Sequence, residues 1–227
     1  QKNIIPVVDI AIKEAGIKKE NISAISFTQG PGLLGSLLVG SSFAKSFALG
    51  LDIPLIAVNH MKGHIMAHFI KNKREENKQP NFPFLCLTVS GGHTQIVLVK
   101  SVTKMIVIGE TLDDAAGEAF DKSAKILGLP YPGGPLIDKY AKRGDKYKFT
   151  FGRHKVGKYD FSYSGIKTSI LRVVEKEVEK NPNFIKENLE DLCASIQHTI
   201  VEILIKKITK ASSELRINEI AIAGGVS

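Results

Sequence analysis

The sequence predicts an α/β protein of two lobes around a cleft, on three observations. Strand-like and helix-like segments alternate through residues 4–58, a pattern that argues for layered α/β architecture. Two β-rich stretches are each followed by helical sequence, with a long helical region between the hairpin of the second and the last strand. Short apolar strands also deliver the chain directly to polar and glycine-rich segments at their carboxyl ends, where ligands gather in such folds.

The elements follow in order. From Ile4 to Ala15 apolar side chains recur at helical spacing and stop at Gly16, which predicts an amphipathic helix. Ile22 to Thr28 is a strand running into the turn Gln29-Gly-Pro-Gly32. Gly35 to Leu49 predicts a helix rich in Leu, Ala and small residues, and Pro54 to Val58 a strand ending at Asn59-His60. Lys71 to Asn81 has almost no apolar residue and reads as a solvated loop. Phe82 to Val89 and Gln95 to Val99 are strands joined by Ser90-Gly-Gly-His-Thr94, a hairpin signal, and Met105 to Gly109 adds a third. Leu112 to Leu127 predicts a helix broken by Pro130-Tyr-Pro-Gly-Gly-Pro135. Further helices are expected at Leu136 to Ala141, Gly165 to Lys180 and Lys186 to Ser212, and a buried strand at Ile217 to Ala223. The expected lobes are residues 1–100 and residues 101–227, with the boundary approximate.

A chain of 227 residues with 43% hydrophobic residues can bury a substantial core. Its 31 basic and 23 acidic residues give +8, which fits an anionic partner such as nucleic acid without demanding one. Cys86, in Phe84-Leu-Cys-Leu87, and Cys193, in a helical segment, read as small buried hydrophobes, which points to a reducing compartment. No stretch is expected to span a bilayer, and no membrane partner is expected. Because the first residue is Gln1 rather than Met, the natural start is expected upstream.

Several groups of residues could carry chemistry. His60-Met-Lys-Gly-His64 sets two imidazoles at i and i+4, on one helical face, where both can reach one divalent ion such as zinc or iron; two unrelated surface histidines are the plain alternative. A zinc peptidase of the HExxH kind would need a Glu where Met61 stands, so hydrolysis by that route is disfavoured. Ser90-Gly91-Gly92-His93-Thr94 could cradle phosphates with free backbone N–H groups, or be only a hairpin turn. Gly224-Gly225 has the same two readings. Asp113 and Asp114 read as the acidic start of a helix, favourable toward its dipole. Asp121, on the packed part of that helix, could accept hydrogen bonds from ribose hydroxyls, with Gly134 and Asp138 brought toward the same ligand by the turn. Between Lys139 and Tyr159, basic residues interleave with aromatics, which suits RNA or equally a solvated loop pinned to the core by its rings.

Seven ordered motifs together resemble one family along the whole chain. They are Thr28-Gln-Gly-Pro-Gly-Leu-Leu-Gly-Ser-Leu37, Asn59-His-Met-Lys-Gly-His64, Val89-Ser-Gly-Gly-His-Thr-Gln95, Asp113-Asp-Ala-Ala-Gly-Glu-Ala-Phe-Asp-Lys122, Tyr131-Pro-Gly-Gly-Pro135, Phe161-Ser-Tyr-Ser-Gly-Ile-Lys-Thr168 and Ala223-Gly-Gly-Val-Ser227. On these the chain resembles the TsaD family, and its bacterial and mitochondrial branch in particular.

The resemblance implies a two-lobed actin/Hsp70/sugar-kinase-like (ASKHA) fold, truncated at both ends. It implies transfer of a threonylcarbamoyl group from threonylcarbamoyl-AMP to N6 of the adenosine beside the anticodon in tRNAs that read ANN codons. It assigns Thr88, Val89, Ser90, Gly91 and Gly92 to the phosphate side of the substrate, and Asp121, Gly134 and Asp138 to its sugar or acyl part. His60 and His64 become ligands of one divalent metal ion per subunit, iron or zinc, with a pocket asparagine and a third ligand, an aspartate, expected beyond Ser227. No general base is evident. TsaB-like and TsaE-like partners are expected if the protein is bacterial, and the location is cytoplasmic, or the mitochondrial matrix in a eukaryote. A sugar kinase or ATPase of the same fold would leave the His pair unexplained, and a noncatalytic TsaB-like protein is expected to lack it.

Overall fold

The computed structural model describes residues 2–70, 79–153 and 156–227. The chain falls into two compact units, Gln1–Ala67 and His68–Ser227.

The first unit is α1 (Ile4–Glu14), β1 (Ile25–Gly30), α2 (Leu34–Leu51), β2 (Leu55–Asn59) and α3 (His60–Met66). β1 and β2 pair in parallel, with Ile25 opposite Leu55 and Gly30 opposite Asn59. A parallel pair needs a crossover, and α2 supplies it. It ends on Asp52, at φ 52°, rather than near Gly50, because a short polar side chain tolerates the left-handed cap. Ala44 and Ala48 are its buried residues. By length and composition alone α2 is long and apolar enough to cross a membrane, contrary to the expectation that no stretch would be.

The second unit holds β3 (Phe84–Val89), β4 (Thr94–Val99), β5 (Met105–Glu110), α4 (Ala116–Ile126), α5 (Gly134–Ala141), α6 (Ser164–Lys180), α7 (Phe184–Glu187), α8 (Leu189–Leu215) and β6 (Ile220–Ala223). The sheet order is β5-β4-β3-β6. β3 pairs antiparallel with β4 and parallel with β6, and every residue of β3 is buried, as suits an interior strand. Residue 100 lies in the tight turn between β4 and β5, whose Val99 and Met105 are paired. The compact division at Ala67 therefore differs from the boundary expected near residue 100, because the hairpin that suggested a first lobe shares its sheet with β6.

α8 forms the spine of this unit. Leu192, Ile196, Ile200, Leu204 and Ile208 recur every fourth residue and are all buried, each contributing about 1.5–3 kcal/mol relative to exposure. Phe161, Tyr163, Ile166 and Ile170 join the same core from the α6 side. The sequence set the start of the first long helix here at Leu112, but α4 begins at Ala116, four residues later. The loop expected over Lys71 to Asn81 falls mostly outside the described residues.

Candidate functional site

β2 ends at Asn59, whose side chain accepts the backbone N–H of Lys62 at 3.1 Å and so fixes the start of α3. Met61 and Ile65 are buried on one side of this short helix. His60 and His64 then share another face, their Nε2 atoms 3.1 Å apart and their rings edge to face. Two nitrogens bound to one ion at about 2.0–2.1 Å lie roughly 2.9–3.4 Å apart, so the pair has the bite of a single divalent metal. Burial first, and His60 second, lower the His64 pKa below the ordinary imidazole value, which favours the neutral ring a metal requires. Among the described residues no group of three or more His, Cys, Asp and Glu side chains converges, so the chain offers an ion these two ligands.

In the second unit the candidate phosphate turn is tightly closed. Ser90 donates its N–H to the His93 carbonyl at 2.8 Å, and His93 donates its own to Ser90 Oγ at 3.0 Å. Thr94 Oγ1 accepts the N–H of Ala116, the first residue of α4, at 2.9 Å and ties the turn to that helix start. A Cβ on Gly117 would lie 2.7 Å from Gly91 Cα and 2.8 Å from the Ser90 carbonyl oxygen. Around Gly91 and Gly92 themselves an added Cβ would meet nothing within 4 Å. The two glycines thus front open space at the N-terminal end of α4. Thr88 and Val89 differ from them: both are buried strand residues, and the Val89 carbonyl accepts the N–H of Val226 at 3.1 Å. The end of β3 is pressed by the turn after β6, where Gly224 has φ +110° and a Cβ would fall 2.1 Å from the Val89 carbonyl oxygen.

Asp121 lies one helical turn beyond Gly117 on α4, on the same face. Its Oδ1 accepts the N–H groups of Gly133 at 2.8 Å and Gly134 at 3.2 Å, so this carboxylate holds the Pro-Gly-Gly-Pro turn in place. It also lines a cavity of about 360 Å³ with Lys122, Lys125 and Tyr131. The Tyr131 ring, 85% exposed, is a flat apolar surface beside the carboxylate that sequence reading took only as part of a helix breaker. Asp138 on α5 is exposed and engaged elsewhere, with Lys142 at 3.2 Å and Gln197 at 3.3 Å. The structure therefore brings together Ser90–Gly92, Gly117, Asp121 and Gly134 along α4, while Asp138 stands apart from the cavity beside Asp121.

Asp113 proves not to be a helix start. Its Oδ1 accepts the backbone N–H of Tyr163 at 2.7 Å and of Ser164 at 3.3 Å, and its Oδ2 accepts the hydroxyls of Ser162 at 2.6 Å and Ser164 at 2.7 Å. Burial would raise this carboxyl, but the four donated hydrogen bonds outweigh it and hold the pKa below the ordinary value. Asp114 instead meets Lys122, which also reaches Glu118 at 2.7 Å. The serines of the Phe-Ser-Tyr-Ser-Gly motif were given no role in the sequence, and this clamp is it.

In the basic and aromatic stretch several rings are pinned to the core and several cations are paired. Phe151 and Tyr159 are buried, and Phe149 packs on the core. Arg143 pairs with Glu190 at 2.6 Å, Lys148 with Asp191 at 2.7 Å and Lys158 with Glu214 at 2.9 Å, all acids of α8. Cys86 and Cys193 are free and buried, their thiols pushed up to about 12 chiefly by burial.

Over residues 1–227 the chain matches the family described as TsaD, tRNA N6-adenosine threonylcarbamoyltransferase. Proteins of that name from Christiangramia forsetii and Riemerella anatipestifer are each 60% identical over 227 residues, covering 100% of this chain and 66% of their own length. The chain thus spans about two-thirds of the length of the curated relatives it matches. Among solved structures, component A of the (R)-2-hydroxyglutaryl-CoA dehydratase of Acidaminococcus fermentans aligns at TM-score 0.49 and 17% identity, over 97% of this chain and 69% of that one, too weak a likeness to argue from.

Proposed function

This chain belongs to the TsaD family and so to its actin/Hsp70/sugar-kinase-like fold class, and on that premise we propose that the protein transfers the threonylcarbamoyl group of threonylcarbamoyl-AMP to N6 of the adenosine beside the anticodon in tRNAs that read ANN codons. The observation that carries the reading is the arrangement along α4. A phosphate at the Ser90–Gly92 turn would meet unobstructed backbone and the N-terminal end of an 11-residue helix, both suited to an anion. One turn further, Asp121 keeps Oδ2 open among the described residues and can accept from ribose hydroxyls while Oδ1 holds the glycine turn.

His60 and His64 are the residues that would hold a divalent metal, iron or zinc. Bound there, such an ion would supply Lewis acidity toward an acyl carbonyl oxygen. The chain's own groups orient the adenylate, leaving the amine to attack the activated carbonyl and AMP to depart. Tyr131 offers a ring on which a base can stack. TsaB-like and TsaE-like proteins would be its partners, in the cytoplasm of a bacterium such as those of its relatives.

The test supplies full-length protein, its partners, threonylcarbamoyl-AMP and unmodified tRNA, and analyses the digested tRNA for the modified nucleoside. We expect modification with the wild type and a loss of at least tenfold with Asp121→Asn. Unmodified tRNA after reaction with the wild type would sink the reading.

A further inference from the structure

Two adjoining grooves on the second unit share Arg153. One, of about 600 Å³, runs along the first half of α6 and is lined by Arg153, Arg172, Thr168 and Ser169 among others. The second, of about 490 Å³, runs along α8 and adds Lys206, Lys207 and Lys210. The described residues lining the pair include five cations and no acid. Ser164 of the Asp113 clamp borders the first groove, but none of the lining residues belongs to the Ser90–Gly92 turn, the Asp121 cavity or the His60/His64 pair.

The cations are not equivalent. Lys207 of α8 spends its ammonium protons on the carbonyls of Val156 at 3.2 Å, Gly157 at 2.6 Å and Lys158 at 3.5 Å, so it contributes charge but is held by that loop. Arg153 and Lys206 share Glu202, the latter at 2.6 Å. Among the described residues Arg172 and Lys210 have no ion-pair partner, and both are exposed. Glu202 between two cations and Asp160 beside Gly157 and Lys207 still leave the five lining cations in excess among the described residues.

We propose that the two grooves form one continuous seat for the phosphate backbone of an RNA, gripped by Arg172, Arg153, Lys206 and Lys210. Guanidinium groups match phosphate oxygens in bidentate fashion, and the hydroxyls of Thr168 and Ser169 are further donors to them. Among the described residues no aromatic side chain lines either groove, so these residues offer cations and hydroxyls rather than a stacking surface or the aromatic anchor of a protein interface. Binding there is therefore to the backbone and independent of sequence. The proposal rests on tRNA being the substrate and adds the surface on which its backbone lies.

The experiment measures binding of unmodified tRNA to the full-length protein across a salt series. The double reversal Arg172→Glu with Lys210→Glu is compared with wild type and with Lys100→Glu plus Lys104→Glu, which changes net charge equally on the β4–β5 turn. We expect the groove reversal to weaken binding at least tenfold and to lower the slope of log K against log salt by about 0.7–0.9 for each phosphate no longer neutralised, with the control within threefold of wild type. Wild-type affinity and slope in the groove variant, or an equal weakening in the control, overturns the proposal and leaves the transferase reading standing. Displacement of the RNA by polyglutamate at equal charge concentration overturns it in favour of an acidic protein. A wild type that binds no tRNA overturns the groove and the reading together.

Discussion

Tyr163 donates its backbone N–H to Asp113 Oδ1 at 2.7 Å across 50 residues of sequence, and through that bond the loop before α4 caps the start of α6. Two motifs that look independent in the sequence form one clamp. Asp113 keeps a folded-state pKa below its ordinary value, so its contribution is fully present above about pH 4 and is lost as pH falls through the folded pKa. Asp113→Asn cannot accept all four bonds. Because the residue is partly solvated, we expect a cost of about 1–2 kcal/mol at neutral pH in urea unfolding. The gap between variant and wild type should narrow as pH falls below the ordinary carboxylate value and through the lowered folded pKa; a gap of constant size would show that the carboxylate charge is not what the clamp uses.

Asp121 separates a structural from a binding role within one side chain. Asn at this position keeps an oxygen for the Gly133 and Gly134 N–H groups but loses the second carboxylate oxygen. Asp121→Asn should stay within about 1 kcal/mol of wild-type stability while weakening nucleotide binding at least tenfold, read by calorimetry with AMP. Asp121→Ala should cost about 1–3 kcal/mol by freeing both donors. Equal stability of the two variants would remove Asp121 from the turn.

What the sequence disclosed follows the range of the interactions. α8 and the His60/His64 pair were legible because i, i+4 spacing is local and decides which side chains share a face. The start of α4 was misread because two aspartates before an apolar run imitate a helix N-terminus, whereas the partners of Asp113 lie at 162–164. The Lys139–Tyr159 stretch showed its charges but not their countercharges, which α8 carries some fifty residues away. Gly117 offered no sequence signal at all, since its requirement is the approach of another backbone.

The glycines give a paired test. At Gly224 an alanine meets the Val89 carbonyl at 2.1 Å with φ +110°, and Gly224→Ala should destabilise by about 2 kcal/mol or more, read as a lowered melting temperature. At Gly91 an alanine meets nothing, so Gly91→Ala should leave the melting temperature within about 2 °C of wild type. If the turn seats a phosphate, Gly91→Ala should still weaken AMP binding at least tenfold, because the methyl fills space meant for the ligand. Unaltered affinity would return the turn to a plain hairpin.

The histidine pair makes the last prediction. With Nε2 atoms 3.1 Å apart, the two imidazoles form one bite, and removing either takes away half of the nitrogen donors this pair offers an ion. His60→Ala and His64→Ala should each reduce metal retained after gel filtration to below about a tenth of an equivalent, measured by elemental analysis, while the full-length wild type retains about one. Both side chains lie off the buried Met61/Ile65 side of α3, so the apo variants should melt within a few degrees of apo wild type. Added zinc should raise the melting temperature of the wild type and not of the variants, since only a ligand of the folded state stabilises it. Wild-type metal content in either single variant would show that the two rings do not hold the ion jointly.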